Sequence, residues 1–168
     1  QNGEVMGELP KAAAADPALA GLRLIPVISN YSQDLYDELA LEALLKRRDL
    51  LRRFRDLVRK VLANPRLGGI ALDLQGVGMG YGRRFAALVA GARKLADMYG
   101  KRMYVILVPS DDKRVLPRVV ETGLWKLPDR VIFQAPSELV VGEPGPRMGY
   151  QWLQKEFARV SRHLPAWR

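Results

Sequence analysis

The stretch GGIALDLQGV, from Gly68 to Val77, decides the fold. Every second residue from Ile70 to Leu74 is a large aliphatic one, and this period of two is typical of a β-strand. Asp73 and Gln75 are two residues apart, so their side chains point to the same side of the strand at its end. The stretch therefore predicts a buried strand that ends in a carboxyl group beside a carboxamide.

Three further apolar segments predict strands, and helical segments separate them. The strand segments are Leu22–Ile28, Arg102–Pro109 and Asp129–Pro136. The helical segments are Ser32–Pro65 in two parts, Arg83–Tyr99, Asp111–Trp125 and Tyr150–Leu164. Strands that are apolar throughout and joined by helices indicate a parallel sheet. We therefore predict an α/β fold, a parallel sheet with flanking helices, which is either an open doubly wound sheet or part of a (β/α)8 barrel.

The helices have amphipathic patterns that predict which side faces the core. We expect Ser32 to cap the first helix and Asp49 to begin the second. The apolar stripe of the second helix is Leu50, Leu51, Phe54, Leu57, Val58, Val61 and Leu62. Its other side consists of Arg52, Arg53, Arg55, Arg59 and Lys60, which we interpret as a solvated face, with an anion-binding face as the alternative. In the last helix we expect Trp152, Leu153, Phe157 and Val160 to point inward.

Length and composition restrict the class of protein. The 168 residues suit one domain, and we divide the chain into an N-terminal arm, residues 1–21, and a single domain, residues 22–168. The sequence contains no apolar run long enough to span a membrane and no recognisable signal peptide. With no cysteine and with His163, expected on the surface, as the single histidine, we predict no metal site and no cofactor.

The charge of the chain favours anionic partners. Lysine and arginine number 27 against 18 acids, a formal net charge of +9. No nucleic-acid recognition motif accompanies this charge, so we expect a polysaccharide or another protein chain as the partner. The glycine loop Gly76–Gly82 follows a strand, but Tyr81 stands where the dinucleotide fingerprint needs its third glycine. We interpret that loop as a flexible one over the strand ends.

The order and spacing of the segments resemble the family 18 glycoside hydrolases, the chitinase-like (β/α)8 barrels. The resemblance covers roughly residues 22 to 165 and rests on RLIPVISNY, GGIALDLQGV, the following helix and strand, and PDRVIFQAPSE with the later EPGPRMGYQWL. A complete barrel of this kind needs about 250 residues. The resemblance therefore implies a shortened or incomplete (β/α)8 (TIM-type) barrel.

The active strand of that family reads D-G-x-D-x-D-x-E, and this chain departs from it. Gly69 matches the glycine, Asp73 matches the third aspartate, and Gln75 stands at the catalytic glutamate. The later family motif M-x-Y-D is replaced by Gln134–Ser137, in which only the small Ala135 is kept. In the family the glutamic acid protonates the leaving oxygen while the acetamido group of the sugar attacks. A carboxamide cannot supply that proton near neutral pH, so we expect no catalytic residue here.

The resemblance implies a catalytically inactive domain that serves as a carbohydrate-binding or assembly module. Its ligand would be an N-acetylated or anionic polysaccharide, and the family favours the cell envelope as its location. We expect Asp73, Gln75, Asn30 and Tyr31 to contact the ligand at the strand ends, with Tyr81 on the overhanging loop.

Two alternatives from other classes stay open. The chain could be a structural subunit that docks in a larger complex through an open sheet edge and its basic face. It could also be an active glycosidase in which another acid, Glu138 or Asp111, replaces the missing glutamate.

Overall fold

The computed structural model describes residues 21–33, 35–77, 80–107 and 121–134, and short pieces near the C-terminus at 154–155, 157–158 and 161–162. The strands in these ranges are β1 (Val27–Ser29), β2 (Tyr31–Ser32), β3 (Leu35–Tyr36), β4 (Gly69–Asp73), β5 (Arg102–Leu107) and β6 (Arg130–Phe133). The helices are α1 (Glu38–Lys46), α2 (Arg48–Leu62) and α3 (Gly82–Met98), and Leu124–Lys126 forms a 3₁₀ helix. Residues 1–20 of the predicted arm lie outside the described ranges.

The predicted parallel sheet with flanking helices is confirmed. Within the described ranges the sheet has four parallel strands in the order β1-β4-β5-β6, and β2 and β3 form a separate antiparallel hairpin. β4 lies between β1 and β5, with Ser29 of β1 opposite Asp73 of β4. The sheet is open rather than closed in this part of the chain, as expected for a shortened barrel.

The core lies between the sheet and the helices. All five residues of β4 are buried, because the strand has a neighbour on both sides. Ile70 and Leu72 are fully buried in one apolar cluster with Val58 of α2 and Val89 of α3. Burial of an aliphatic side chain of this size stabilises a fold by about 1.5–3 kcal/mol, so this layer holds β4 and its polar end in place.

The amphipathic pattern located both ends of α3 and the start of α2 to within one residue, while α2 ends at Leu62, three residues before the expected Pro65. α2 begins at Arg48, with Asp49 in its first turn, and its buried residues, Leu50, Phe54, Val58 and Leu62, all belong to the predicted stripe. α3 ends at Met98, and Gly100 follows with a left-handed backbone, as a glycine beyond a helix end does.

The predicted start of the first helix is wrong. Ser32 does not cap it, because residues around it form the β2–β3 hairpin, and the helix begins six residues later. Asp37 is the actual N-cap and accepts a hydrogen bond from the backbone N–H of Ala40 at 2.8 Å. Both residues are good caps, but Leu35 and Leu39, which suggested a helical apolar face, are 74% and 76% exposed. Helical spacing in this segment therefore did not reflect burial.

Two predictions of burial are also wrong. The first strand is shorter than Leu22–Ile28 and is not buried, since Val27 is 54% exposed at an edge of the described sheet. Pro26 directly precedes this strand, as expected of a residue without a backbone donor. Phe157, expected to face inward, is exposed. The other inward-facing residues expected near it lie outside the described ranges.

Gly69 begins β4 at a point where two strands approach closely. An ideal Cβ at this position would lie 2.0 Å from the backbone oxygen of Arg102 on β5. Because backbone cannot move aside as a side chain can, only glycine fits. Gly91, in the middle of α3, is the opposite case. An added Cβ there would lie 3.9 Å from its nearest neighbour, the Arg55 Nε atom, which is an ordinary contact distance.

We predict opposite effects of adding the same methyl group at these two glycines. Gly69→Ala is expected to lower the free energy of unfolding by about 2 kcal/mol or more, because the new Cβ overlaps β5. Gly91→Ala is expected to raise it by up to about 1 kcal/mol, because alanine favours a helix over glycine. Urea denaturation of both variants measures this difference. Equal effects of the two substitutions would contradict the close approach at Gly69.

Candidate functional site

Asp73 lies at the carboxyl end of β4, with its carboxyl group held by two neutral donors. The residue is 8% exposed. The Tyr36 hydroxyl donates to Oδ2 at 3.0 Å, and the Gln75 side-chain amide donates to Oδ1 at 2.7 Å. No lysine or arginine among the described residues forms an ion pair with Asp73. Within the described ranges, hydrogen bonds from neutral donors therefore stabilise the buried acid, and a buried polar group needs such partners.

The Gln75 side chain has one possible orientation in this network. Its Nε2 atom donates both to Asp73 Oδ1 and to the backbone oxygen of Ile106 on β5, at 3.1 Å. Both partners are acceptors, so the amide nitrogen has to face them. The two amide hydrogens are used within the protein, and the carbonyl oxygen is the part of Gln75 that can serve a ligand, as an acceptor.

Asn30 connects three segments instead of presenting its side chain. Its Oδ1 accepts from the Gln75 backbone N–H at 2.9 Å, and its Nδ2 donates to the backbone oxygens of Gln75 and Asp37, both at 3.0 Å. The Asp37 N–H in turn donates to the Asn30 backbone oxygen at 2.8 Å. We infer that Asn30 positions the residues after β4 against the start of α1.

Gly76, the residue after Gln75, also lies against the start of α1. It has a φ of +80°, which favours glycine, and an added Cβ would lie 2.3 Å from the Cγ atom of Glu38 at the start of α1. The backbone conformation of the first glycine of the loop therefore favours glycine, and the exposed Glu38 side chain packs beside it. Gly78 and Met79 of the same loop lie outside the described ranges.

Tyr36 and Tyr31 form an aromatic pair beside Asp73. Their rings meet edge to face with centroids 5.0 Å apart, and Tyr31 is 53% exposed. Burial, the hydrogen bond to Asp73 and the charge of Asp73 together raise the pKa of the Tyr36 hydroxyl to about 12. Tyr36 therefore stays a hydrogen-bond donor over the whole physiological pH range, while the Tyr31 ring remains open to contact.

The five predicted site residues separate into two places. Asn30, Tyr31, Asp73 and Gln75 lie together at the carboxyl ends of β1 and β4. Tyr81 instead contacts α1, where the Lys46 ammonium lies 5.3 Å from the centre of its ring. Tyr81 also forms a hydrogen bond with Glu42, and the hydrogen bonds of Glu42 with Lys46, the larger effect, and with Tyr81 lower the pKa of this carboxyl group. The described contacts of Tyr81 are thus on the helix side of the fold.

Sequence reasoning missed Tyr36, which it had placed inside a helix. The available signal was the pattern YSQDLY, in which two short segments with tyrosines flank a Gln-Asp pair, as in a β-hairpin. Of the replaced later motif, Gln134 follows β6 and donates its backbone N–H to Leu107 at 3.0 Å. The remaining residues of that motif, and Asp111, Glu138 and His163, lie outside the described ranges.

The described residues offer no cluster suited to a metal ion. No group of three or more histidine, cysteine, aspartate or glutamate side chains in these ranges is close enough to hold one. None of the described helices combines the length and apolarity that crossing a membrane needs. What the strand-end site does offer is a hydrogen-bonded carboxyl group, an amide carbonyl and an exposed aromatic ring.

A parallel sheet with flanking helices and a polar cluster at the strand ends is the arrangement found in part of a (β/α) barrel. Solved structures with this fold include the following two. A protein described as a sporulation-specific glycosylase, YdhD, from Bacillus subtilis matches 98% of this chain with a TM-score of 0.75 and 13% identity. A class V chitinase from Pseudomonas fluorescens matches 86% of it with a TM-score of 0.64 and 20% identity.

These comparisons confirm the resemblance to the chitinase-like glycoside hydrolases at the level of the fold. The chain spans 56% of the length of the glycosylase and 48% of the length of the chitinase. No protein-family model matches the chain, and no curated protein does. The chain therefore has the fold of about half of a chitinase-type barrel.

We predict that the Tyr36 hydroxyl stabilises the strand-end site in a pH-dependent way. Tyr36→Phe is expected to lower the free energy of unfolding by about 1–2 kcal/mol at pH 7, because Asp73 loses a donor. The folded-state pKa of about 12 lies above the ordinary value near 10. The contribution is therefore complete below pH 10 and is lost as the pH rises to 12.

Urea denaturation of the wild type and Tyr36→Phe between pH 7 and 12 measures this contribution. Tyr31→Phe is the matched control, since Tyr31 is exposed and its loss of a hydroxyl should change stability by less than about 0.5 kcal/mol. If both variants lose equal stability at pH 7, the Tyr36–Asp73 hydrogen bond does not have this role.

Proposed function

We propose that this domain binds a carbohydrate at the carboxyl ends of β1 and β4 and does not hydrolyse it. The ligand class is an N-acetylated or anionic polysaccharide, and the proposed setting is a cell envelope. The observation that carries the proposal is the 2.7 Å hydrogen bond from the Gln75 amide to Asp73. In a chitinase-type strand this is the place of the acid that protonates the leaving oxygen.

The chemistry of the site argues against hydrolysis. Loss of a general acid costs on the order of 10²–10⁴-fold in rate. Among the described residues around Asp73, the groups that carry a proton are the Gln75 amide and the Tyr36 hydroxyl. A hydroxyl with a pKa of about 12 is a poor acid at neutral pH, so neither group replaces a glutamic acid.

Binding needs only the groups that the site offers. A pyranose ring has apolar C–H faces that pack on aromatic rings, and the half-exposed Tyr31 ring is suited to such a contact. The Gln75 carbonyl can accept a hydrogen bond from a sugar hydroxyl or from an acetamido N–H. The Asn30 contacts described above fix the backbone of Gln75, so this acceptor is preorganised.

Calorimetric titration with oligomers of N-acetylglucosamine tests the binding site. Tyr31→Ala is expected to weaken binding by about fivefold or more, through loss of the ring contact. The double variant Asp73→Ala, Gln75→Ala is expected to abolish binding. Tyr99→Ala, an exposed tyrosine at the far end of α3, is the matched control and should bind as the wild type does. Unchanged binding by the double variant would exclude the site.

The same preparations show whether the domain is an enzyme. With a fluorogenic chito-oligosaccharide we expect no turnover above the uncatalysed rate. Turnover at an enzyme-like rate that is lost in Glu138→Gln or Asp111→Asn would refute the non-hydrolytic proposal and favour the alternative of an active glycosidase.

The open sheet supports a second candidate function, assembly with another chain. β1 and β6 are the outer strands of the described sheet. Val27 of β1 and Ile132 of β6 lie on the sheet face opposite the helices and are 54% and 44% exposed. Exposed strand edges with apolar side chains favour pairing with further strands. A structural subunit would cover this face with a protein partner.

Sedimentation velocity of the isolated domain tests the assembly function. If strands of a second copy cover this face, the domain is expected to associate at micromolar concentration. The variant Val27→Lys, Ile132→Lys should then be a monomer, because two charges on the face oppose its burial. A monomeric wild-type domain at all concentrations would contradict self-association through this face.

A further inference from the structure

A cleft on the helix side of the fold combines an apolar floor with a cationic rim. It has a volume of about 270 Å³ and lies between α1, α2 and α3. The floor consists of Leu45, Leu51, Phe54, Ala87 and Leu88. The rim consists of Lys46, Arg48, Arg55 and Arg84, and none of the lining residues is acidic. Cations without acids around a small apolar cleft suit an anionic ligand with an apolar part.

Three of the four cations have no carboxylate partner among the described residues. Most acids of the adjoining helices are already paired: Glu42 with Lys46 and Asp56 with Arg59, both at 2.8 Å, Asp49 with Arg47 at 2.7 Å, and Asp97 with Arg93. Glu38 lies at the opposite end of α1 from Leu45 and Lys46, beside Gly76. The unpaired cations are Arg48, Arg55 and Arg84. Their mutual repulsion is therefore uncompensated within this part of the chain, and an anion in the cleft would relieve it.

Tyr81 orders one end of the cleft. The Lys46 ammonium lies 5.3 Å and the Arg84 guanidinium 6.0 Å from the centre of its ring, within the range of a cation–π contact. The hydrogen bonds of Lys46 with Glu42, the larger effect, and with Tyr81 raise the pKa of its ammonium group. Tyr81 thus holds cations from two different elements at the rim, a role that fits its place away from the strand-end site.

We propose that this cleft binds an acidic peptide segment of a partner protein, with one apolar side chain of the segment inserted between α2 and α3. Arg48 and Arg55 are seven residues apart on one helix, which separates them by about 10 Å along its axis. Two cations at this separation suit two carboxylates three residues apart in a peptide of polyproline II conformation, in which every third side chain faces the same way at a spacing of about 9 Å. The floor then gives the inserted side chain its apolar contacts.

The apolar floor also favours a peptide over a nucleic acid. Single-stranded nucleic acids bind through stacking of bases on exposed aromatic rings in a basic groove. The aromatic ring at this rim is Tyr81, and its contacts with Lys46 and Arg84 already occupy it. The floor is otherwise aliphatic, and the Phe54 ring in it is buried at 8% exposure, so the floor offers no open face for a base stack but does suit an apolar side chain of a peptide.

Fluorescence anisotropy with the intact domain tests the proposal. The probe is a short labelled peptide of glutamates with one central leucine, and the comparison probe has serine in place of that leucine. Arg55→Glu, Arg84→Glu is expected to weaken binding of the leucine peptide by about tenfold or more, since two attractive contacts become repulsive. Lys60→Glu, Arg66→Glu is the matched control, because it makes the same change in charge at exposed residues that do not line the cleft.

Each outcome decides the proposal. The proposal is supported if the wild type binds the serine peptide more weakly than the leucine peptide and if Arg55→Glu, Arg84→Glu loses affinity for the leucine peptide. The control Lys60→Glu, Arg66→Glu should then change that affinity by no more than about twofold. Equal weakening in both charge variants would overturn it, because binding would then follow net charge alone. Complete displacement by millimolar inorganic phosphate, or tighter binding of single-stranded oligothymidylate than of the peptide, would overturn it as well.

A milder variant and the strand-end variant complete the design. Arg55→Gln, Arg84→Gln removes the charges without introducing acids, so a failure of the glutamate variant to fold does not end the test. The strand-end variant Tyr31→Ala should bind the peptide as the wild type does, because Tyr31 is exposed and does not line the cleft. Peptide binding and carbohydrate binding are thereby tested separately, and either can fail without the other.

Discussion

The Asp73 carboxyl group, buried at the end of the central strand, is the constraint around which this molecule is arranged. A buried carboxylate without donors would cost several kcal/mol. Its two donors come from different segments, Tyr36 from the hairpin and Gln75 from the residues after β4. Asn30 joins these segments to each other and to the start of α1. One acid thus determines where a hairpin, a loop and a helix meet.

This arrangement is compatible with the proposal that position 75 corresponds to the proton donor of a chitinase-type strand and carries an amide instead. An amide at position 75 donates to Asp73, whereas a second carboxylate there would need a shared proton or a counter-charge. The amide also reaches the Ile106 oxygen, which connects β4 to β5 at the strand ends. The amide of Gln75 is therefore compatible with a site whose described polar groups are well satisfied.

Much of the fold followed from sequence periodicity, and the errors share one cause. α2, α3 and β4 were predicted well because their apolar residues face a common core. At Leu35 in the hairpin and Leu39 in the first turn of α1 the same kind of pattern failed, because both residues are apolar but exposed. At the site, spacing alone placed Asp73 and Gln75 together, but it could not show that Tyr36 contacts Asp73 or that Tyr81 contacts α1 instead. Those contacts join residues distant in the chain.

The sequence by itself determined the parallel α/β class and the buried strand with a carboxyl group, Asp73, and an amide, Gln75, at its end. Local spacing controls these features, since side-chain direction in a strand repeats every two residues. Only the tertiary structure decided which donors satisfy Asp73, which face of the sheet stays uncovered, and which arginines remain unpaired beside a cleft. These depend on how separate elements pack, and packing brings together residues that no local pattern connects.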